Sequence, residues 1–145
     1  MMRPGTNPAA AEEGEAVMIQ TGALQWRSRT DAPTGVRIYR LEGVLTDSEE
    51  SFAFLTRVRQ DLRADPRPVL LDLAGVPRLT STGVGIVLAV LKSARGAGHS
   101  IALATLSRHN EMILEIAQTA RFVAAFADEH AALEGCAAGA WEREA

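Results

Sequence analysis

The chain has 145 residues, which is enough to bury one sizeable core but short for two domains. Its formal net charge is −3 with both signs scattered along the sequence, so no basic stripe suggests a nucleic-acid-binding protein. No apolar run approaches the ~20 residues of a membrane-spanning helix and no secretory pattern opens the chain, so we expect a cytoplasmic protein without direct membrane insertion.

The N-terminal part of the sequence predicts a leader followed by a β-hairpin. Residues 1–17 combine two prolines, an alanine run and three glutamates with almost nothing to bury, which indicates a disordered leader. Residues 24–28 and 36–41 then alternate apolar and polar side chains, as half-buried strands do, and a turn with proline and glycine separates them. We expect these strands to pair within a domain that spans residues 18–137.

A first helix is predicted after the hairpin. Thr46-Asp47-Ser48-Glu49 has the S/T-x-x-E form of a capping box, in which the first and last side chains bond each other's amides. Asp65-Pro66 should end the helix, because the residue before a proline avoids the helical conformation. One apolar stripe is expected between these limits, formed by Phe52, Leu55, Val58 and Leu62.

The stretch 68–98 organises the rest of the sequence. Its apolar run at residues 69–73 has the branched side chains and short length of a strand that is covered on both faces. The hydroxyl groups of Thr80, Ser81 and Thr82 then stand where a helix begins; the unpaired amides of a first turn favour either a cap or a phosphate there. That helix is predicted from the apolar residues Val84, Val87, Leu88, Leu91 and Ala94.

The C-terminal third predicts two further units of strand and helix. Gly96 and Gly98 should stop the preceding helix, after which residues 101–104 form a buried strand. Ser107 is expected to cap a third helix. The side chains expected to face inward from that helix are Met112, Ile113, Ile116, Ala117 and Ala120.

A short strand at residues 122–126 and a helix capped by Asp128 complete the predicted domain. The inward residues of that last helix are expected to be Ala131, Ala132 and Leu133. Residues 138–145 are interpreted as a tail, in which Trp141 is expected to fray, and the single Cys136 as an ordinary thiol. The order β-β-α-β-α-β-α-β-α predicts an α/β fold, with a mixed sheet of about five strands and about four helices.

The strand, short loop, hydroxyl cluster, Gly-x-Gly and apolar helix of residues 68–98 together resemble the STAS domain, most closely that of the bacterial anti-sigma-factor antagonists. The likeness covers roughly residues 24–133 and implies the STAS fold for the sheet. In that family the loop typically reads Asp-Ser-Ser/Thr-Gly, and a partner kinase that is also the anti-sigma factor phosphorylates the Ser after the Asp. Ser81, Thr82 and Gly83 match this motif, whereas Thr80 replaces the Asp.

The resemblance implies an anti-sigma-factor antagonist: a phosphorylation-controlled switch in transcription regulation that sequesters an anti-sigma-factor kinase. Ser81 is the implied phosphoacceptor, ahead of Thr80 or Thr82. The kinase would supply ATP, so the resemblance implies no cofactor in this chain, and it leaves open whether the chain forms a homodimer. The rival interpretation is a non-phosphorylated structural STAS subunit of a signalling scaffold or a lipid-transport complex, which the Thr80 replacement keeps in contention.

One helix face is expected to bind a partner, and it can be derived from periodicity alone. Ser81, Gly85, Ala89 and Lys92 project opposite the apolar stripe, so the outward surface is small and flat enough for a partner's helix or loop. A plain solvated helix back is the alternative. The expected partner-binding residues are Thr80, Ser81, Thr82, Gly83, Gly85, Ala89 and Lys92.

The sequence contains no complete enzymatic motif. His99, His109 and His130 lie far apart without ligand spacing, so we expect no metal site. Ser81 lacks a G-x-S-x-G elbow and a suitably spaced base, so a hydrolase ranks last and we expect no catalytic residue. Asp72 lacks the acidic pair of a receiver domain and is interpreted as a structural residue that hydrogen-bonds the adjacent loop.

Overall fold

A computed structural model describes residues 24–143, so the leader predicted at residues 1–17 lies outside the described residues. The strands and α-helices of this part of the chain follow the predicted order. The strands are β1 (Gln25–Thr30), β2 (Arg37–Glu42), β3 (Val69–Gly75), β4 (Ile101–Ala104) and β5 (Ala124–Phe126). The helices are α1 (Glu49–Ala64), α2 (Ser81–Gly96), α3 (Arg108–Ile116) and α4 (Glu129–Ala137), with a 3-10 helix at Thr119–Arg121.

The strands form one mixed sheet in the order β1-β2-β3-β4-β5. β1 and β2 pair antiparallel, which confirms the predicted hairpin, and β2 to β5 run parallel with a helix in each crossover. The first five residues of β3 are buried, as expected for a strand covered on both faces. The predicted α/β fold with a mixed sheet is therefore confirmed.

Two hydrophobic cores cover the two faces of this sheet. The larger core packs α1 and α2 against β2, β3 and β4, and the Tyr39 ring meets the Phe54 ring edge to face at 5.6 Å. The Tyr39 hydroxyl donates to Asp61 Oδ2 at 2.6 Å, so burial leaves this polar group satisfied. The smaller core lies under α4 and includes Ile38, Leu70 and Ala132.

The start of α1 differs from the prediction. Ser48, rather than Thr46, caps the helix, because its side chain accepts a hydrogen bond from the Ser51 amide at 3.1 Å. The Ser51 hydroxyl in turn accepts from the Thr46 amide at 3.1 Å, so a pair of serines replaces the predicted capping box. Phe54 consequently takes the core position expected of Phe52, whose side chain is 48% exposed. The predicted Leu55, Val58 and Leu62 are buried.

The buried face of α3 was predicted wrongly. Met112 and Ile116 are 57% and 71% exposed, and the helix buries Asn110 and Leu114 instead. Asn110 faces inward because its side-chain amide forms hydrogen bonds with the main chain of the loop after β3. With Asn110 on the inner face of α3, Met112 and Ile116 face outward. The other residues predicted to be inward are half-buried Ile113 and exposed Ala117 and Ala120.

The C-terminal segment also departs from the expected tail. Trp141 is only 4% exposed, packs in the smaller core and donates its indole N–H to the Ala132 carbonyl oxygen at 2.8 Å. Burial of a large aromatic ring whose N–H group is hydrogen-bonded holds this segment against the domain. The expected fraying of Trp141 is therefore not observed. Asp128 caps α4 as predicted, its carboxylate accepting from the Ala131 amide at 2.8 Å.

Candidate phosphorylation and partner-binding site

Thr80 is the N-cap of α2. Its hydroxyl oxygen accepts a hydrogen bond from the Gly83 amide at 3.0 Å. The same hydroxyl donates to the Leu45 carbonyl oxygen at 3.2 Å, in the loop between β2 and α1. Thr80 therefore satisfies the helix end and ties it to a neighbouring loop with one side chain.

Ser81 is left with an exposed hydroxyl group. It is the first residue of α2, and within residues 24–143 its side chain makes no hydrogen bond. Sequence reasoning left capping and phosphate acceptance both open for this serine, and the cap belongs to its neighbour Thr80. Thr82 follows as a half-buried residue of the same turn.

Gly83 is buried and holds the start of α2 against the loop before α1. A Cβ atom at this position would lie 2.5 Å from the Leu45 carbonyl oxygen and 3.1 Å from a methyl carbon of Leu79. The close approach that this glycine permits is therefore internal to the domain, and Gly83 supports the site from beneath its surface.

The outward face of α2 is open at three of its four predicted positions. Ser81, Gly85 and Lys92 are exposed, and a Cβ atom at Gly85 would meet nothing within 4 Å. Ala89 differs from the expectation, because it is half-buried and packs against the larger core. Gly85 and Lys92 are thus the positions at which a substitution would alter the surface without disturbing the interior.

The loop that carries Thr80 and Ser81 is also fixed from the side of α3. The Asn110 side chain accepts from the Leu79 amide and donates to the Val76 carbonyl oxygen, both at 2.7 Å. The Ser107 hydroxyl donates to the Pro77 carbonyl oxygen at 2.8 Å and caps α3 as predicted. Sequence reasoning missed Asn110, whose only signal was a polar residue on the buried side of a short helix.

Apolar side chains are exposed on both elements that hold this loop. Val44 (41% exposed) lies next to Leu45 in the loop before α1, and Phe52 lies in the first turns of α1. Met112 and Ile116 lie on α3, one turn apart on one face. The loop before α1 with the start of α1, and α3, therefore each present apolar side chains to solvent.

Asp72 belongs to a charged cluster on the other face of the sheet. Its Oδ1 atom accepts from the Ala74 amide at 3.0 Å, in line with the predicted structural role. Burial raises the pKa of the Asp72 carboxyl, and a hydrogen bond with Glu129 raises it further. Glu129 holds the negative charge: burial opposes this, but bonds from Asp72, Arg40 and Arg29 outweigh it and lower its pKa to about 2. The Arg29 and Arg40 guanidinium groups reach Glu129 at 2.7 and 2.8 Å.

No group of three His, Cys, Asp or Glu side chains among residues 24–143 is placed to hold a metal ion. None of the helices in this part of the chain has the length and apolar character required to span a membrane.

The sequence and the fold both match known proteins. A model of the STAS domain family matches residues 28–132. A search of the curated proteins found no relative of this sequence.

Solved structures share the fold at low sequence identity. An anti-sigma-factor antagonist (STAS) domain protein from Planctomyces limnophilus superposes with a TM-score of 0.64 at 17% identity, over 77% of this chain and 97% of that one. A proposed anti-sigma factor antagonist from Thermotoga maritima gives 0.65 at 19% identity, over 77% and 94%. The murine anion transporter solute carrier 26 family member A9 gives 0.62 at 18% identity, over 72% of this chain and 18% of the transporter.

Proposed function

Since this chain belongs to the STAS domain family, we propose that it acts as an anti-sigma-factor antagonist, a protein-binding switch controlled by phosphorylation of Ser81. The unphosphorylated domain binds an anti-sigma-factor kinase and so frees the sigma factor for transcription. Phosphorylation by the same kinase releases the partner. The kinase supplies ATP, and this chain contributes a docking surface and a hydroxyl acceptor.

The exposed and unbonded hydroxyl of Ser81 carries this proposal. Thr80 already caps α2, so modification of Ser81 breaks no hydrogen bond within residues 24–143. A phosphate at this position lies beside the free amides and the partial positive charge of the helix start, which favour an anion. The domain is therefore expected to stay folded after phosphorylation.

The replacement of the family's Asp by Thr80 is compatible with this role. Thr and Asp are both good N-caps, because each has a side-chain oxygen that accepts from the first-turn amides. Thr80 performs that function here with a neutral group. The replacement therefore keeps the helix start intact and removes a negative charge that would otherwise stand beside the phosphate.

Release of the partner follows from the charge that modification adds to the uncharged Ser81 hydroxyl. A phosphate brings about −1.5 to −2 charges to a face on which Gly85 allows close approach of a partner. The partner groups that fit a neutral hydroxyl then meet an unpaired, desolvated charge, which costs several kcal/mol. Phosphorylation thus acts on the complex rather than on the fold.

The deciding experiment incubates the full chain with an anti-sigma-factor kinase from the same organism and ATP, then maps phosphate by mass spectrometry. We expect phosphate on Ser81 ahead of Thr80 or Thr82, and none in a Ser81→Ala control at that position. Binding to that kinase with no phosphate on residues 80–82 would favour the structural-subunit interpretation, in which the loop docks without being modified.

A further inference from the structure

A cleft of about 330 Å³ is lined by residues of β1, β2 and β3, and neither Thr80 nor Ser81 belongs to its lining. Four of its lining residues are polar or charged and four are apolar or glycine: Gln25, Arg27, Arg40 and Glu42, and Trp26, Leu41, Ala74 and Gly75. Arg40 forms an ion pair with Glu129 of α4, so its side chain lies on the face of the sheet opposite α2. α4 packs against β3, β4 and β5.

Two arginines face each other across this cleft. Arg27 of β1 and Arg40 of β2 are directly opposite in the antiparallel pair, so their side chains leave the same face of the sheet. Like charges in that arrangement destabilise a sheet. The pair therefore has a net energetic cost unless negative charge offsets both guanidinium groups.

Only one of the two charges is offset within the described residues. Arg40 donates through Nε and Nη2 to Glu129 Oε2, at 3.1 and 2.8 Å, and its Nε lies 3.6 Å from Asp72 Oδ2. Arg27 is exposed and has no carboxylate partner in residues 24–143. Glu42 lines the same cleft but forms no ion pair with either arginine in that range.

We propose that this cleft binds a small anion, a carboxylate or a phosphate group, between the guanidinium groups of Arg27 and Arg40. A planar guanidinium group binds such oxygens through paired, charge-assisted hydrogen bonds. Arg40 is preorganised because Glu129 accepts from its Nε and Nη2 and Asp72 lies near its Nε, which leaves Nη1 to donate to a ligand. Arg27 supplies the charge that no protein carboxylate neutralises.

Gly75 shapes the floor of the cleft. A Cβ atom there would lie 2.6 Å from Glu42 Cγ and 2.7 Å from the Leu41 carbonyl oxygen, so a larger residue would displace β2. The β2–β3 register shifts between Arg40 and Glu42, opposite this glycine. Glu42 lines the cleft and forms no ion pair with Arg40 among the described residues, so it borders the proposed anion site as a repelling charge.

The test uses calorimetric titration of the full chain with inorganic phosphate and, separately, with malonate, at constant ionic strength set by chloride. We expect saturable binding of at least one anion; the two titrations show whether a phosphate or a carboxylate is preferred. Arg27→Gln should weaken binding by about tenfold or more, as loss of charge-assisted hydrogen bonds does. Glu42→Gln should strengthen it, because a repelling charge is removed. Arg108→Gln, at an exposed arginine outside the cleft, should leave it unchanged.

Three results would overturn the proposal. The first is no saturable binding of either anion, and the second is equal binding by Arg27→Gln and the wild type. The third is loss of binding in Arg63→Gln instead, which would place the anion in the cleft of about 360 Å³ between α1 and α2. Because Arg27 is exposed, Arg27→Gln should fold with an unlowered melting temperature, so weakened binding can be assigned to the cleft. None of these results depends on Ser81 phosphorylation.

Discussion

The N-termini of α4 and α2 differ in whether acidic side chains offset the partial positive charge of the helix. α4 begins with Asp128 as its cap and Glu129 in its first turn, and Glu129 is bound by Arg29 and Arg40. α2 begins with the neutral cap Thr80 and has no acidic residue in its first turn. Acidic first-turn residues are also present in α1 (Glu49, Glu50) and α3 (Glu111).

The difference separates a fixed helix start from one that can accept charge. Negative side chains in a first turn offset the partial positive charge of the helix, typically by about 0.3–1 kcal/mol each. In α4 Glu129 occupies the first turn and is bound by Arg29 of β1 and Arg40 of β2. In α2 the first turn is open beside an exposed hydroxyl, so the proposed phosphate on Ser81 would supply the negative charge that the other helices already carry.

The largest predicted effect comes from giving α2 a fixed charge with Ser81→Asp. We expect the variant to fold, because an acidic residue at a helix start is favourable, and to lose affinity for the partner kinase by about 100-fold or more, because an unpaired charge is desolvated in the complex. Titration calorimetry against the kinase measures the affinity, and circular dichroism checks the fold.

A matched control places the same charge far from α2. Ala138→Asp adds a carboxylate at an exposed position after α4, and binding should be unchanged. If Ser81→Asp binds the kinase as tightly as this control does, the start of α2 is not where charge controls the partner.

The second prediction removes the fixed charge from α4. Glu129→Gln removes the carboxylate that Arg29 and Arg40 share and leaves Arg40 only Asp72, at 3.6 Å, so it should lower the free energy of unfolding by about 2 kcal/mol at neutral pH. Glu134→Gln on the same helix is the control, because that side chain is 71% exposed and should change stability by less than about 0.5 kcal/mol. Urea unfolding measures both variants.

The pH dependence of this loss has a definite sign. The folded-state pKa of Glu129 lies near 2, below its ordinary value of 4.5, so its contribution is present above pH 4.5 and is lost as pH falls toward 2. The stability gap between wild type and Glu129→Gln should therefore shrink over that interval. A gap that stays constant down to pH 2 would show that the Glu129 charge does not stabilise α4.

Sequence reasoning succeeded where the signal was local. The strand at Ile101–Ala104 and the caps Ser107 and Asp128 follow from patterns a few residues long, and all three are observed. The buried face of α3 was wrong because Asn110 responds to the main chain of a distant loop, which no helical periodicity contains. The same limit kept Arg40, Asp72 and Glu129 apart in the sequence reading, since only the parallel sheet brings them together.

The sequence did not decide whether Thr80 or Ser81 caps α2, and the structure does. Thr80 and Ser81 are both suitable caps, and the choice depends on where the helix axis meets the loop before α1. The Leu45 carbonyl oxygen selects Thr80. The sequence also does not distinguish Gly83 from Gly85, because both are glycines in the first turns of α2. Only the structure shows that Gly83 packs against the Leu45 carbonyl oxygen and that Gly85 faces open space.

The third prediction tests these two glycines against each other. Gly83→Ala should lower the free energy of unfolding by about 1–2 kcal/mol, because its Cβ would collide with the Leu45 carbonyl oxygen. Gly85→Ala should raise it by about 0.5–1 kcal/mol, since alanine favours the helix and the added methyl group meets open space. Thermal unfolding of both variants is the measurement. Equal effects would remove the distinction between a supporting and an exposed position.

The smallest predicted effect comes from Thr80→Asp, which gives α2 the type of cap that α4 has. The carboxylate can accept from the Gly83 amide as the hydroxyl does, and it gains from the helix dipole. It cannot donate to the Leu45 carbonyl oxygen, and it places a negative charge near that oxygen. These effects oppose each other, so the free energy of unfolding should fall by less than about 1 kcal/mol. Thr80→Ser keeps both hydrogen bonds, so its free energy of unfolding should equal that of the wild type. Thr80→Ala loses both and should lower the free energy of unfolding by more than Thr80→Asp does. Chemical unfolding measures the stability of all three variants. A Thr80→Asp protein less stable than Thr80→Ala would show that repulsion between the carboxylate and the Leu45 carbonyl oxygen outweighs the cap that the carboxylate restores.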